Sequence, residues 1–242
     1  MSEIIQWFDS LPKFTRYWFG LSVVFPIVGK FGIFSPMSVV LTPQFISQFQ
    51  IWRPFTATFY YPTGFHYLMN LYFLYNYSLR LETGPEFASK PAEYLFLLIF
   101  NWFWAVVIGY LFSIPLLMDP MVLSVLYIWC QFNKETVVSF WFGIRVKAMY
   151  LPFVLLGFNV LMGGSAYFEI LGIIIGHLYY FTMVKYPAEN GVHLISPPQI
   201  LYDYFPNIQG RVGGFTYVPP TQPQPTSERR HNWGRGFTLG GT

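Results

Sequence analysis

Six stretches of this chain are apolar over most of their length, with polar and charged positions gathered between them. A helix crossing about 30 Å of hydrocarbon needs roughly 20 residues, within a range near 17–25. Residues 17–34 carry one charge, Lys30, near an end. Residues 55–79 and 94–113 carry none, and 116–132 carry only Asp119, at the start. Residues 148–163 are uncharged but short, and 170–184 are uncharged between Glu169 and Lys185. The pattern predicts an all-α membrane protein with six transmembrane helices, the fifth and sixth marginal in length. Between the first two, residues 35–53 are too long for a tight turn. There Phe45, Ile46, Phe49 and Trp52 share a helical spacing, with Gln44, Ser47, Gln48 and Gln50 opposite. That predicts a helix lying in the membrane interface or packed on the other spans.

Composition agrees. Of 242 residues, 10% are charged and 22% are aromatic, against about 25% charged in ordinary soluble domains. This excludes an ordinary soluble globule, and excludes disorder for most of the chain. The net charge of +3 is too small to argue for nucleic acid. Charge placement sets the orientation. With a cytoplasmic N-terminus, the cytoplasmic side holds Lys13, Arg16, Arg80, Lys90, Lys134, Arg145, Lys147, Lys185, Arg211, Arg229, Arg230 and Arg235, against only Lys30 and Arg53 opposite. Positive charge favours the cytoplasm, so both termini are expected there. The first apolar stretch has no small-residue cleavage site after it and is expected to remain as a span. The sequon Asn76-Tyr77-Ser78 falls within the second span and is expected to be unused. A lone cysteine, Cys130, excludes an internal disulfide and a cysteine-based structural metal site. His66 and His193 lack partners at ligand spacing, so no metal and no cofactor is assigned.

From residue 187 the composition shifts to a proline-rich tether ending in Arg229-Arg230-His231-Asn232-Trp233-Gly234-Arg235-Gly236-Phe237-Thr238-Leu239-Gly240. The organisation expected is a membrane domain over 1–186 and a flexible cytoplasmic tail over 187–242. Large apolar residues at the end of such a tail have no core to fill, and they read as a peptide that docks on a partner.

At these residues the chain resembles the Derlins, rhomboid-related membrane proteins of the endoplasmic reticulum. The matching stretches are Thr15-Arg16-Tyr17-Trp18-Phe19, Gln50-Ile51-Trp52-Arg53-Pro54, Asn70-Leu71-Tyr72-Phe73-Leu74-Tyr75, Arg80-Leu81-Glu82-Thr83-Gly84 and Gly176-His177-Leu178-Tyr179. The resemblance implies a rhomboid-like six-span fold with a disordered cytoplasmic tail. It also implies a role in endoplasmic-reticulum-associated degradation, moving misfolded client proteins to the cytosol. The tail resembles the box at 229–240 by which Derlins bind the AAA ATPase valosin-containing protein, through Trp233, Gly234, Gly236, Phe237, Leu239 and Gly240. A membrane-embedded ubiquitin ligase complex and the lipid bilayer are further implied partners; a homo-oligomer stays open. Trp52 and Arg53 have two readings. The pair suits an interfacial anchor, and the resemblance implies a functional motif of the first lumenal loop.

Active rhomboids use a serine within Gly-x-Ser-Gly on the fourth span and a histidine within His-x-x-Gly-x-x-x-Gly on the sixth. Here Gly172 and Gly176 keep the glycine spacing, which lets two helices approach closely. Glu169 stands where the histidine belongs, and Ser124 lies between Leu123 and Val125 with no glycines. His177 is displaced by eight residues, roughly 12 Å along a helix. A serine without a base within reach is a weak nucleophile, so the expectation is a pseudoprotease with no catalytic residues. His177, Asn70, Asn76, Asn101 and Asn159 are expected to stitch spans together or to line a hydrated groove. Glu169 is expected to be solvated at the lumenal end of its span. The rival readings are an active intramembrane serine protease and a small-solute transporter; no internal repeat of the transporter kind is evident.

Overall fold

The computed structural model describes residues 3–139, 143, 145–161, 163 and 165–207. Helix α1 (Glu3–Asp9) leads into α2 (Lys13–Lys30), the first apolar stretch, which carries Pro26 inside it. After it, the interfacial helix expected across Phe45 to Trp52 is not formed. The chain makes only α3 (Pro36–Val39) and one 3-10 turn at Pro43–Phe45. Phe49 then adopts φ +53°, a costly conformation for a bulky side chain that stops any helix there. Phe45 packs on the Tyr110 ring, 5.6 Å between centroids, whereas Ile46, Phe49 and Trp52 are exposed, so the four residues do not form one packed face.

The second span is also displaced. Helix α4 (Arg53–Phe59) ends before Pro62, and a proline disfavours helical backbone at the residue before it. The chain re-enters a helix only at α5 (Phe65–Phe73), which continues through a π turn at Leu74–Ser78 into α6 (Leu79–Glu82). The element expected over 55–79 is thus a short helix, a break, and a rod from 65 to 82.

Six further helices follow among the described residues. Helix α7 (Pro91–Leu111) starts on a proline, whose missing N–H is no loss in a first turn. Then come α8 (Met118–Phe132), α9 (Leu151–Leu161) and α10 (Tyr167–Tyr180). A π turn at Phe181–Lys185 joins α10 to α11 (Tyr186–Asn190). Gly191 closes α11 in the left-handed region at φ +69°, its N–H donating to the Pro187 carbonyl at 2.8 Å. Among the described residues two helices, Pro91–Leu111 and Tyr167–Asn190, are long and apolar enough to cross a membrane. Two more, Met118–Phe132 and Ala148–Leu161, are apolar but shorter. The sixth stretch, expected to be marginal, therefore lies in the longest helix among the described residues.

Helix α8 is the hub. Every residue from Met118 to Cys130 is buried, which explains why it is apolar all round. Helices α4, α5, α7, α9 and α10 all pack on it. The closest seam is with α10. A Cβ on Gly172 would lie 2.8 Å from Leu123 Cβ and 3.0 Å from the Pro120 carbonyl oxygen. A Cβ on Gly176 would lie 2.8 Å from the Ser124 carbonyl oxygen. Between α8 and α9 a hairpin pairs β1 (Val137–Ser139) antiparallel with β2 (Arg145–Lys147), Val138 opposite Val146. The Lys147 ammonium donates to Glu135 at 2.7 Å and holds that carboxyl below its usual range. Both groups are exposed, so the pair adds little stability.

The first part of the tail differs from a free tether. Helix α12 (Gln199–Tyr204) packs on α7, and the Phe205 ring sits 5.3 Å from that of Phe14, with the Lys13 ammonium 4.7 Å above it. Phe205 supplies apolar surface that the proline content hides. The tail sequence from 208 onward, with the box at 229–240, lies outside the described residues.

Candidate functional site

Helices α5, α8, α9 and α10 converge around a polar cavity of about 70 Å³. Its polar groups come from helix ends: His66 and Asn70 on α5, Asp119 in the first turn of α8, Asn159 near the end of α9, and Glu169 in the first turn of α10. Carboxylates suit first turns, where the unpaired backbone N–H groups and the helix dipole favour negative charge. Asp119 is only 5% exposed. Its Oδ1 accepts from His66 Nε2 at 3.1 Å and from the Asn70 amide. The Tyr61 ring stacks on His66 at 5.7 Å between centroids. On the other wall, Asn159 Nδ2 donates to Glu169 and to the Ser165 carbonyl. Glu169 is 7% exposed rather than solvated as its position suggested. The walls between these groups are apolar, including Phe73, Leu126 and Leu155.

Ser124 does not face this chemistry. It is fully buried, and its hydroxyl donates back to the Met121 carbonyl at 2.8 Å, the local bond that serines often make inside helices. His177 Nδ1 is hydrogen-bonded to the Tyr127 hydroxyl at 2.8 Å, which links α10 to α8. That is the stitching role expected of it. Asn76 donates to the Tyr72 carbonyl within its own helix. The amide of Asn101 is fully buried with no partner among the described residues.

Arg53 and Trp52 act on the loop before them. Arg53 Nη1 donates to the Met37 and Val40 carbonyls at 2.6 and 2.9 Å, and its Nε donates to Gln50. Trp52 Nε1 donates to the Ser38 carbonyl at 3.3 Å. The guanidinium therefore satisfies carbonyls at the C-terminal end of α3, where a cation is favoured.

At the opposite end of the bundle, two of the quoted stretches meet. Glu82 accepts from the backbone N–H groups of Phe14 and Thr15 at 3.0 and 2.7 Å, and from the Thr15 hydroxyl at 2.7 Å. Thr15 continues through Ser78 to Tyr94, each link 2.7 Å long. Glu82 thus caps the start of α2 from 67 residues away. Removing a cap costs about 1–2 kcal/mol. Glu82→Ala is expected to lower the thermal unfolding midpoint of the protein in detergent micelles, and Glu82→Gln, which keeps one acceptor, to lower it less. An unchanged midpoint in Glu82→Ala would show that the cap adds nothing.

Trp52 and Arg53 stand at the start of α4, and Gly172 and Gly176 both lie on the α8–α10 seam. Trp233, Gly234, Gly236, Phe237, Leu239 and Gly240 lie outside the described residues. Sequence reasoning missed the His66–Asp119–Asn70 cluster, whose members stand 49 and 53 residues apart. The one local signal was a carboxylate at the edge of an apolar run.

Residues 11–199 match the profile of the Der1-like family. Over 251 aligned residues the chain is 51% identical to Derlin-1 of Homo sapiens, covering 99% of each chain. It is 46% identical to Derlin-1 of Caenorhabditis elegans, covering 96% of each. With Derlin-1 of Arabidopsis thaliana it is 31% identical, over 82% of this chain and 76% of the relative. With these matches along nearly its whole length, and with the apolar helices of a multi-pass membrane protein, the chain belongs to the Der1-like, or Derlin, family.

Proposed function

We propose that the chain is a non-catalytic, rhomboid-like factor of the endoplasmic reticulum membrane that helps misfolded proteins pass to the cytosol for degradation. In this reading it spans the membrane six times with both termini cytoplasmic. Its tail recruits the AAA ATPase valosin-containing protein, and a membrane-embedded ubiquitin ligase modifies the emerging client.

The observation that carries the reading is a small cavity among apolar helices that holds His66, Asn70, Asp119, Asn159 and Glu169 between apolar walls. A polypeptide crossing hydrocarbon exposes backbone groups that each cost several kcal/mol when unsatisfied. Polar groups at the helix ends, beside the short helices α8 and α9, would lower this cost where a client enters the bundle. The chain has no Gly-x-x-x-x-Gly-Lys loop for nucleotide, so the work of extraction is assigned to the tethered ATPase. A flexible tether raises the ATPase concentration near the exit.

The protease alternative has no support in the geometry of Ser124, whose hydroxyl is buried on a carbonyl of its own helix. Ser124→Ala is expected to leave the half-life of a misfolded client unchanged, and the wild-type serine is expected to resist a fluorophosphonate probe. A client stabilised several-fold by Ser124→Ala, or a probe adduct on Ser124, would overturn the non-catalytic assignment.

A further inference from the structure

The polar cavity ends on an acceptor that no described group engages. Glu169 is 7% exposed, and its Oε2 is buried with no hydrogen-bond partner. The neighbouring donors are already committed. Asn159 Nδ2 serves Glu169 Oε1 and the Ser165 carbonyl, and the Asn70 amide and His66 Nε2 both serve Asp119. Asp119 is thus served by His66, Asn70 and the Tyr61 hydroxyl, and the acceptor capacity left over is at Glu169 Oε2. A buried acceptor without a partner costs free energy, which a donor entering from outside would recover.

Size and wall chemistry narrow the donor. About 70 Å³ admits a water-sized head group and little more. The walls around it are Met69, Phe73, Val122, Leu123, Leu126 and Leu155, so the space takes the head group alone and a stem would stay outside it. A primary ammonium is compact, carries three donors and no acceptor, and ends a four-carbon apolar stem in lysine. The cavity lies where α5 and α9 both pack on α8, at the end of the bundle that the charge pattern assigns to the lumen. A lysine in a membrane segment is poorly tolerated unless it pairs.

We propose that this cavity recognises the lysine ammonium of a client membrane segment, with Glu169 Oε2 as the acceptor and Asp119 as the second negative wall. The proposal rests on the retrotranslocation reading and names the client feature that reading would select. An ammonium could also come from an aminophospholipid headgroup, so the test separates the two.

The full chain is reconstituted in vesicles of phosphatidylcholine alone and titrated with dye-labelled single-span peptides. These are identical except for one residue near the lumenal end: lysine, glutamine or leucine. Wild-type protein is expected to bind the lysine peptide about tenfold more tightly than the other two. Glu169→Gln is expected to abolish that preference, and Glu169→Asp to restore part of it. The preference is expected to survive addition of phosphatidylethanolamine. Equal binding of the three peptides by wild-type protein overturns the proposal without reference to any variant. So does a preference that persists in Glu169→Gln, or a glutamine peptide that binds as tightly as lysine. Loss of the preference on adding phosphatidylethanolamine would assign the site to lipid amine and also overturn the client assignment. Release of a lumenal client with no membrane span, assayed with wild-type protein, tests the underlying reading separately.

Discussion

Replacing Gly176 with valine is expected to abolish client degradation and to lower the unfolding midpoint of the purified protein. The cause lies in what a side chain would meet. A bare Cβ at Gly176 would stand 2.8 Å from the Ser124 carbonyl oxygen and 3.0 Å from Tyr127 Cβ. A backbone carbonyl in a fully buried helix cannot swing aside as a flexible side chain can. Helix α10 would have to move off α8, disturbing the Tyr127–His177 bond and the cavity that α10 helps to line. Overpacking costs about 1–3 kcal/mol in ordinary cores and more where backbone must shift. Gly172→Val is expected to act the same way, against Leu123 Cβ and the Pro120 carbonyl. Alanine at either position already introduces the 2.8 Å approach and is expected to give a smaller loss. Protease-protection mapping is expected to show normal insertion, since the span stays apolar. An unchanged midpoint with unchanged degradation in both valine variants would show that the spacing is incidental.

The second large effect is expected at the tail. Trp233, Phe237 and Leu239 are apolar groups in a polar, proline-rich sequence, and Gly234 and Gly236 remove side chains where a short strand would lie against another surface. We expect residues 229–240 to bind the purified ATPase as an extended peptide, with pockets for the large side chains. Trp233→Ala or Leu239→Ala is expected to weaken binding by about tenfold or more, as truncation of an aromatic or aliphatic anchor does. Arg230→Ala is expected mainly to slow association and to change its salt dependence. A titration of the peptide decides it. If wild-type and Trp233→Ala peptides bind equally, or neither binds at millimolar concentration, recruitment must lie elsewhere, on the cytoplasmic loops around Lys134 and Arg145.

Much of the helical frame was legible as uncharged runs. Third, fourth and sixth stretches became α7, α8 and the rod from α10 to α11, because apolar length is a local property. The Gly172 and Gly176 spacing marked a close seam, which the resemblance set against the fourth stretch, and that stretch is α8. What failed was punctuation and pairing. Pro62 broke the second run, yet hydropathy across residues 55–79 continues through it. Phe45, Ile46, Phe49 and Trp52 kept helical spacing in a segment where Phe49 adopts positive φ. Asp119 and Glu169 looked like charges at the ends of spans. A carboxylate in a first turn has the same local sequence whether water or a neighbouring helix satisfies it. Only the approach of α5 and α9, set by packing on α8, decides between them. Glu82 and Thr15 were both within recognised stretches, but their pairing across 67 residues follows from the fold alone.

In the function we propose, the chain moves clients out of the membrane system without cutting them, using an ATPase held by its tail. The most direct measurement is release of an intact, labelled lumenal client from microsomes into the soluble fraction, with ATP and cytosol supplied. Microsomes carrying the wild-type chain are expected to release the client at full length, and those carrying the chain without residues 229–240 to retain most of it. Release that is unaffected by removing the tail, or that yields client cleaved within the membrane, would contradict the account.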